Sequence, residues 1–352
     1  MEDALTPTIG QIAPLDETAM RAAEEELDRK TKPRGSLGRL ERLAVQYAGI
    51  RGDAAPPPPE PAVLVAAADH GYAEEGVSAY PADVTAQMVR TFASGGAAIC
   101  VLAREAGARL VVIDAGVCVR VDVPGVRNVR VGAGTANAAG GPAMTRGQAL
   151  RAIAAGIGLA RELGADGVTA LALGDMGIGN TTAAAALHAS LLDIEPARVC
   201  GPGTGLDADG VRTKVSVVER ALAANALTGH DPVDTLAALG GFEIALLTGA
   251  ILGGASERLA VVLDGFIVGA AALAATRLAP AARDYLFAGH LSPEPGHRIA
   301  LEELGLDPML ELELRLGEGA GATLALPLLR AAVAILSEMA TFEAAGVTDA
   351  GR

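Results

Sequence analysis

The chain has 352 residues, 51% of them apolar, with 44 glycines, no tryptophan, 3% aromatics and a formal charge of -14. A chain of this length buries one large core, or a core with a smaller satellite, and its apolar share excludes an intrinsically disordered protein. The negative charge repels phosphate polymers and anionic membranes, and so few aromatics leave no stacking platform for single-stranded nucleic acid.

At the N-terminus Glu2 and Asp3 replace the cationic start of a secretory leader. The longest charge-free apolar runs, such as 265–276, are about a dozen residues, short of the ~20 that span a bilayer. No membrane span is expected. Three cysteines, Cys100, Cys118 and Cys200, lack CxxC spacing. They read as buried small hydrophobes in a reducing, cytoplasmic setting.

Residues 16–47 read as helical, interrupted by the turn Lys32-Pro33-Arg34-Gly35-Ser36-Leu37-Gly38. The stretch 52–61, with consecutive Pro56 to Pro59, is a stiff loop. From about residue 61 five apolar runs each end in polar or glycine residues. Run 62–68 ends in Asp69-His70-Gly71, 110–113 in Asp114-Ala115-Gly116, and 168–173 in Gly174-Asp175. Run 259–263 ends in Asp264-Gly265, and 285–288 in Gly289-His290. Helical stretches at 84–107, 147–163, 181–192 and 209–227 lie between them.

Apolar strands alternating with helices predict an α/β fold, a parallel sheet covered on both faces. Ligands bind such sheets beyond the carboxyl ends of the strands. A last helix is predicted at 327–345. With the N-terminal helices it would form a small helical domain, 1–60 and 316–352, beside an α/β core at 61–315.

Several constellations carry chemical possibilities. Gly174-Asp175-Met176-Gly177-Ile178-Gly179-Asn180-Thr181-Thr182 follows a predicted strand and opens a helix, a turn that suits a phosphate. It also reads as a partial dinucleotide fingerprint lacking its third glycine, or as a plain tight turn. Gly201-Pro202-Gly203-Thr204-Gly205 precedes a helix with Lys214, which either reaches back to a phosphate or stays solvated. The five histidines, His70, His188, His230, His290 and His297, show no metal-binding spacing, and His70 reads as a hydrogen-bonded structural residue. Ser78, Tyr80 and Gln87 either line a pocket for a flat ligand or sit on the surface. In Arg315-Leu316-Gly317-Glu318-Gly319, the glycine-flanked Glu318 is either a cap of the next helix or a catalytic base.

Taken in order, these segments resemble one family. Lys32-Pro33 with Gly35-Ser36-Leu37-Gly38, Ala68-Asp69-His70-Gly71, Gly76-Val77-Ser78, Val84-Thr85 with Gln87-Met88, and Gly134-Thr135-Ala136-Asn137 begin the series. Met176-Gly177-Ile178-Gly179-Asn180-Thr181-Thr182, Gly203-Thr204-Gly205 and Arg315-Leu316-Gly317-Glu318-Gly319 complete it. Over about residues 14–346 the chain is similar to the nicotinate-nucleotide–dimethylbenzimidazole phosphoribosyltransferases.

The resemblance implies a Rossmann-like sheet, a helical domain from both chain ends and a homodimer. Its substrates would be nicotinate mononucleotide and a benzimidazole-type base, with no cofactor or metal. Glu318 would be the general base, with Asp175 a second catalytic carboxylate. Ser78, Tyr80 and Gln87 would form the base pocket. Gly177, Gly179, Asn180, Thr181 and Lys214 would handle the nucleotide, and Gly203 and Leu316 join them as substrate-binding residues. One departure is Asp175, where the family commonly has glutamate, one methylene longer. Two other function classes fit the same sheet: a non-catalytic nucleotide-binding protein, and a nicotinamide-dependent oxidoreductase that the incomplete fingerprint disfavours.

Overall fold

The computed structural model describes residues 2–203, 205–226 and 231–348. Thr204, Leu227 and His230, named above, lie outside the described residues. Six parallel strands form one sheet in the order β3-β2-β1-β4-β5-β6. They are β1 Pro61–Ala68, β2 Arg109–Gly116, β3 Val126–Asn128, β4 Ala170–Met176, β5 Ala260–Leu263 and β6 Leu286–Ala288. The α/β expectation therefore holds, with five strands where the apolar runs place them. The sixth, β3, is a half-exposed edge strand of sequence Val-Arg-Asn, too short and polar to stand out.

Strand order reverses between β1 and β4, which pair from Pro61↔Ala170 to Ala67↔Met176. At such a switch point the two following loops diverge to opposite faces and leave a crevice. Every side chain of β1 is buried, as expected of a strand covered on both sides.

Two helices on one face cross with almost no space between their backbones. They are Arg146–Ala165 and Phe242–Ser256. A Cβ on Gly156 would lie 1.9 Å from the Leu246 carbonyl oxygen, and one on Gly249 would lie 1.9 Å from that of Ile153. Glycine is needed here for approach, since neither position has a left-handed backbone. Gly249→Ala is expected to cost about 3 kcal/mol, the upper end of overpacking, seen as a lower urea midpoint with an unchanged slope.

Three predicted boundaries need correction. The helix expected over 84–107 is two helices, Val84–Ala93 and Ala98–Glu105. Gly95, at φ +78°, takes the left-handed turn that ends the first. The last helix starts at Ala320, not 327, with Pro327 inside it, because the Asp264 carboxylate fixes its start. It stops at Glu338, and a separate turn of helix covers Phe342–Ala345. Between them Ala340 and Thr341 pair with Thr31 and Lys30, tying the two ends of the chain together. Ala23, Leu27, Ala44, Ala48, Ala332 and Leu336 form a second, smaller apolar cluster where these end-derived helices meet.

Two stretches, Val84–Glu105 and Ala320–Glu338, are long and apolar enough to cross a membrane by length and composition alone. The first is the broken pair, and the second packs on β4, β5 and the helix Arg39–Arg51. Core burial accounts for its apolarity. Cys100 and Cys200 are buried as expected, whereas Cys118 is exposed. It lies just beyond β2, where its backbone N–H donates to Asp69 at 2.7 Å.

Candidate functional site

The crevice floor is the end of β4. Asp175, only 4% exposed, accepts a 2.8 Å hydrogen bond from the Asn180 side-chain amide. After it the chain turns so tightly that a Cβ on Gly177 would sit 2.3 Å from the Ala68 carbonyl oxygen. Gly179, at φ +94°, delivers the chain into the helix Asn180–Leu192. The turn is held from below by His70. Its ring lies against Gly177 and its Cβ against Gly179, and its Nε2 is 2.6 Å from the buried Glu243 carboxylate. His70 is thus a hydrogen-bonded residue beneath the turn. From the side, the Ile178 N–H donates to Thr85 at 3.1 Å.

Lys214 comes from the helix Ala208–Asn225 and is 1% exposed. Its Nζ donates to Thr181 Oγ1 and to the Gly201 carbonyl, both at 3.0 Å. Burial lowers its pKa, and the Glu294 carboxylate acts in the opposite direction. Glu294 accepts the Gly203 N–H at 2.8 Å, and burial raises its own pKa, opposed by Lys214. Two glycine-rich turns thus meet at one buried cation.

Facing them, Gly317, Glu318 and Gly319 adopt left-handed φ values of 78°, 63° and 84° in succession. For glutamate this conformation is strained, by about 1–2 kcal/mol. Neighbouring bonds impose it. The Glu318 N–H donates to the Asp175 carbonyl at 3.1 Å. Asp264, at the end of β5, accepts from the amides of Gly319 at 3.2 Å, Gly321 at 2.6 Å and Ala322 at 3.0 Å. Asp264 therefore satisfies the start of the last helix. The Glu318 carboxylate therefore takes no part in capping that helix.

The Glu318 side chain is 5% exposed, and its Oε2 has no hydrogen-bond partner among the described residues. Burial pushes its pKa up to about 7, with the Ile99 N–H pulling it down and Asp264 adding to the rise. Asp175 is also raised well above the usual carboxylate range, by burial first and then by Asp264 and Glu243, with Glu318 adding to the rise. Acidic side chains thus crowd beneath the crevice and favour positive charge above it.

One cavity is lined by Asp175, Gly177, Asn180, Thr181, Gly203 and Leu316, all singled out from the sequence. A recess sharing Gly177, Asn180 and Thr181 adds Ser78, Gly179 and Lys214. Gly317 lines the cavity, whereas its neighbour Glu318 is among the lining residues of neither space. Tyr80, 52% exposed, and Gln87, also exposed, line neither space. Sequence reasoning missed Ser292 and Glu294, which line the same cavity. They follow β6 in Ser292-Pro293-Glu294-Pro295, a stretch with no periodicity or motif to mark it. Asp264 and His290 stood only as polar strand endings. Among the described residues no three His, Cys, Asp or Glu side chains are placed to share a metal ion.

A family model described as phosphoribosyltransferase matches residues 12–347. A protein of Desulforudis audaxviator named nicotinate-nucleotide–dimethylbenzimidazole phosphoribosyltransferase is 52% identical, with 99% of each chain covered. One of the same name from Azotobacter vinelandii is 53% identical, with 96% of this chain and 97% of that protein covered. The crystal structure of CobT from Thermus thermophilus superposes with a TM-score of 0.91 at 52% identity, covering 94% of this chain and 99% of that one. Identity of this order along nearly the whole length, on a fold that superposes this closely, gives one conclusion: the chain belongs to the nicotinate-nucleotide–dimethylbenzimidazole phosphoribosyltransferase family.

Proposed function

We infer that the chain transfers ribose 5-phosphate from nicotinate mononucleotide to 5,6-dimethylbenzimidazole, giving nicotinate and alpha-ribazole 5'-phosphate for the lower ligand of cobalamin, with Glu318 as the base. The carrying observation is the buried Glu318 Oε2, without a partner among the described residues. A buried acceptor left unpaired is costly, and an arriving azole N–H satisfies it.

The chemistry follows from the groups at hand. As the C1'–N bond of the nucleotide breaks, its electron pair returns to the pyridinium nitrogen and neutral pyridine leaves, so departure requires no acid and no Lewis acid. The lone pair of one benzimidazole nitrogen forms the new bond to C1', and that ring becomes cationic. The proton on its other nitrogen passes to Glu318, which leaves the product ring neutral. Attack opposite the leaving ring inverts C1' and yields the alpha linkage. Asp175 and its acidic neighbours stabilise the positive charge that builds at C1'. Lys214, Thr181 and the amides of Gly179 and Thr181 receive the phosphate. Ser78 borders the base from the recess, and Leu316, in the wall of the cavity, meets the substrates.

A core at 61–315 with an end-derived helical unit at 1–60 and 316–352 belongs to the same proposal, supported by the second apolar cluster. So does a cytoplasmic homodimer, supported by the exposed apolar side chains of Tyr80, Leu312 and Leu316. Incubating the protein with nicotinate mononucleotide and 5,6-dimethylbenzimidazole, without added metal, is expected to release one nicotinate per alpha-linked nucleotide. Nucleotide binding without nicotinate release would overturn the transferase assignment.

A base with a pKa of about 7 works only when ionised. We expect kcat/KM to rise about tenfold per pH unit below 7 and to level off above it. Folding stability runs the other way. Because the folded pKa lies above the ordinary value of 4.5, the contribution of Glu318 is present at low pH and lost between 4.5 and about 7. Activity and stability measured over pH 5–9 check both slopes.

A further inference from the structure

The donor has two anionic ends, a phosphate and the carboxylate of the pyridine ring, while the crevice is acidic. Among residues lining the cavity beside Asp175, Asp175, Asp264 and Glu294 are acidic, and Arg315 is the sole lysine or arginine. Arg315 is exposed. Among the described residues it forms no ion pair with an acidic side chain, although twelve other arginines do.

Side-chain contacts order the crevice. Lys214 touches Thr181 at one end. Asn180, next in sequence, bonds Asp175 in the middle. A Cβ on Gly317 would lie 3.5 Å from Asp175 Oδ2, and Leu316 and Arg315, which precede Gly317 in the chain, line the same cavity. A nucleotide whose phosphate meets Lys214 and whose ribose lies over Asp175 carries its pyridine ring toward Arg315. This rests on the donor assignment made above.

The geometry points to Arg315 as the specificity-determining residue for the donor: its guanidinium pairs with the pyridine carboxylate and selects nicotinate mononucleotide over nicotinamide mononucleotide. The planar fork of arginine matches a carboxylate with two parallel N–H bonds. A neutral carboxamide offers one acceptor oxygen and presents N–H groups where the second acceptor would be. Since Arg315 is exposed and holds no acidic partner among the described residues, replacing it leaves the scaffold intact.

The test compares wild type, Arg315→Gln and Arg315→Lys with both mononucleotides at saturating 5,6-dimethylbenzimidazole, following release of the free pyridine by chromatography. Arg315→Gln is expected to lower kcat/KM for nicotinate mononucleotide about tenfold, chiefly through KM, with little change for the nicotinamide form. The preference ratio therefore collapses. Arg315→Lys keeps the charge but not the fork, and is expected to retain an intermediate ratio. A ratio unchanged in Arg315→Gln, or a wild type that uses both donors equally, overturns this inference and leaves the transferase assignment standing. A wild type that releases pyridine from neither donor overturns both.

Discussion

Glu318→Gln is expected to lose about 100- to 10,000-fold in turnover while binding nicotinate mononucleotide as wild type does. The substitution preserves the shape of the side chain and asks of the backbone the same left-handed φ of 63°. The bonds that hold the turn, from Glu318 N–H to the Asp175 carbonyl and from Gly319, Gly321 and Ala322 to Asp264, involve no atom of the glutamate carboxylate. What disappears is the group that takes the azole proton. Single-turnover rates and equilibrium binding separate the two effects, and full turnover in Glu318→Gln would remove this residue from the mechanism. The rise in activity up to pH 7 should vanish in the variant as well.

Gly174→Ala is expected to reduce turnover by about 100-fold, although residue 174 touches no substrate. A Cβ there would lie 2.3 Å from the Gly319 nitrogen and 2.5 Å from the Glu318 carbonyl carbon. Those neighbours are backbone, so the clash is relieved only if β4 and the Glu318 turn separate. A displacement of about 1 Å at a reacting group costs roughly 100-fold, and the loss should fall on kcat more than on KM for the donor. Restoring glycine at 174 restores rate. A Gly174→Ala enzyme with normal kcat would show that the position of the turn does not matter.

Much of the fold was legible because β1, β4 and β5 are continuous apolar runs that end abruptly in polar residues. That pattern places Asp69, Asp175 and Asp264 at one edge of the sheet before any coordinate is known. Other features depend on contacts distant in sequence. The last helix starts at Ala320 because Asp264, 55 residues from Gly319, supplies its cap. The unbroken helix expected over 84–107 overlooked how readily Gly95-Gly96 ends a helix once Gly95 turns left-handed.

In the site, glycine-rich motifs drew attention to the Gly177–Thr181 and Gly317–Gly319 turns. No periodicity singled out Glu294, which meets Lys214 and Gly203 only through folding. That Glu318 is not the cap of the last helix likewise depends on Asp264, whose satisfaction of the helix amides only the folded chain reveals.

The most direct measurement is a crystal structure of the protein with 5,6-dimethylbenzimidazole bound. The expected result is one ring nitrogen within about 2.6–3.2 Å of a Glu318 carboxylate oxygen, with the other nitrogen turned toward the space above Asp175. A base seated with both nitrogens away from Glu318, and that carboxylate still unpartnered, would contradict the account.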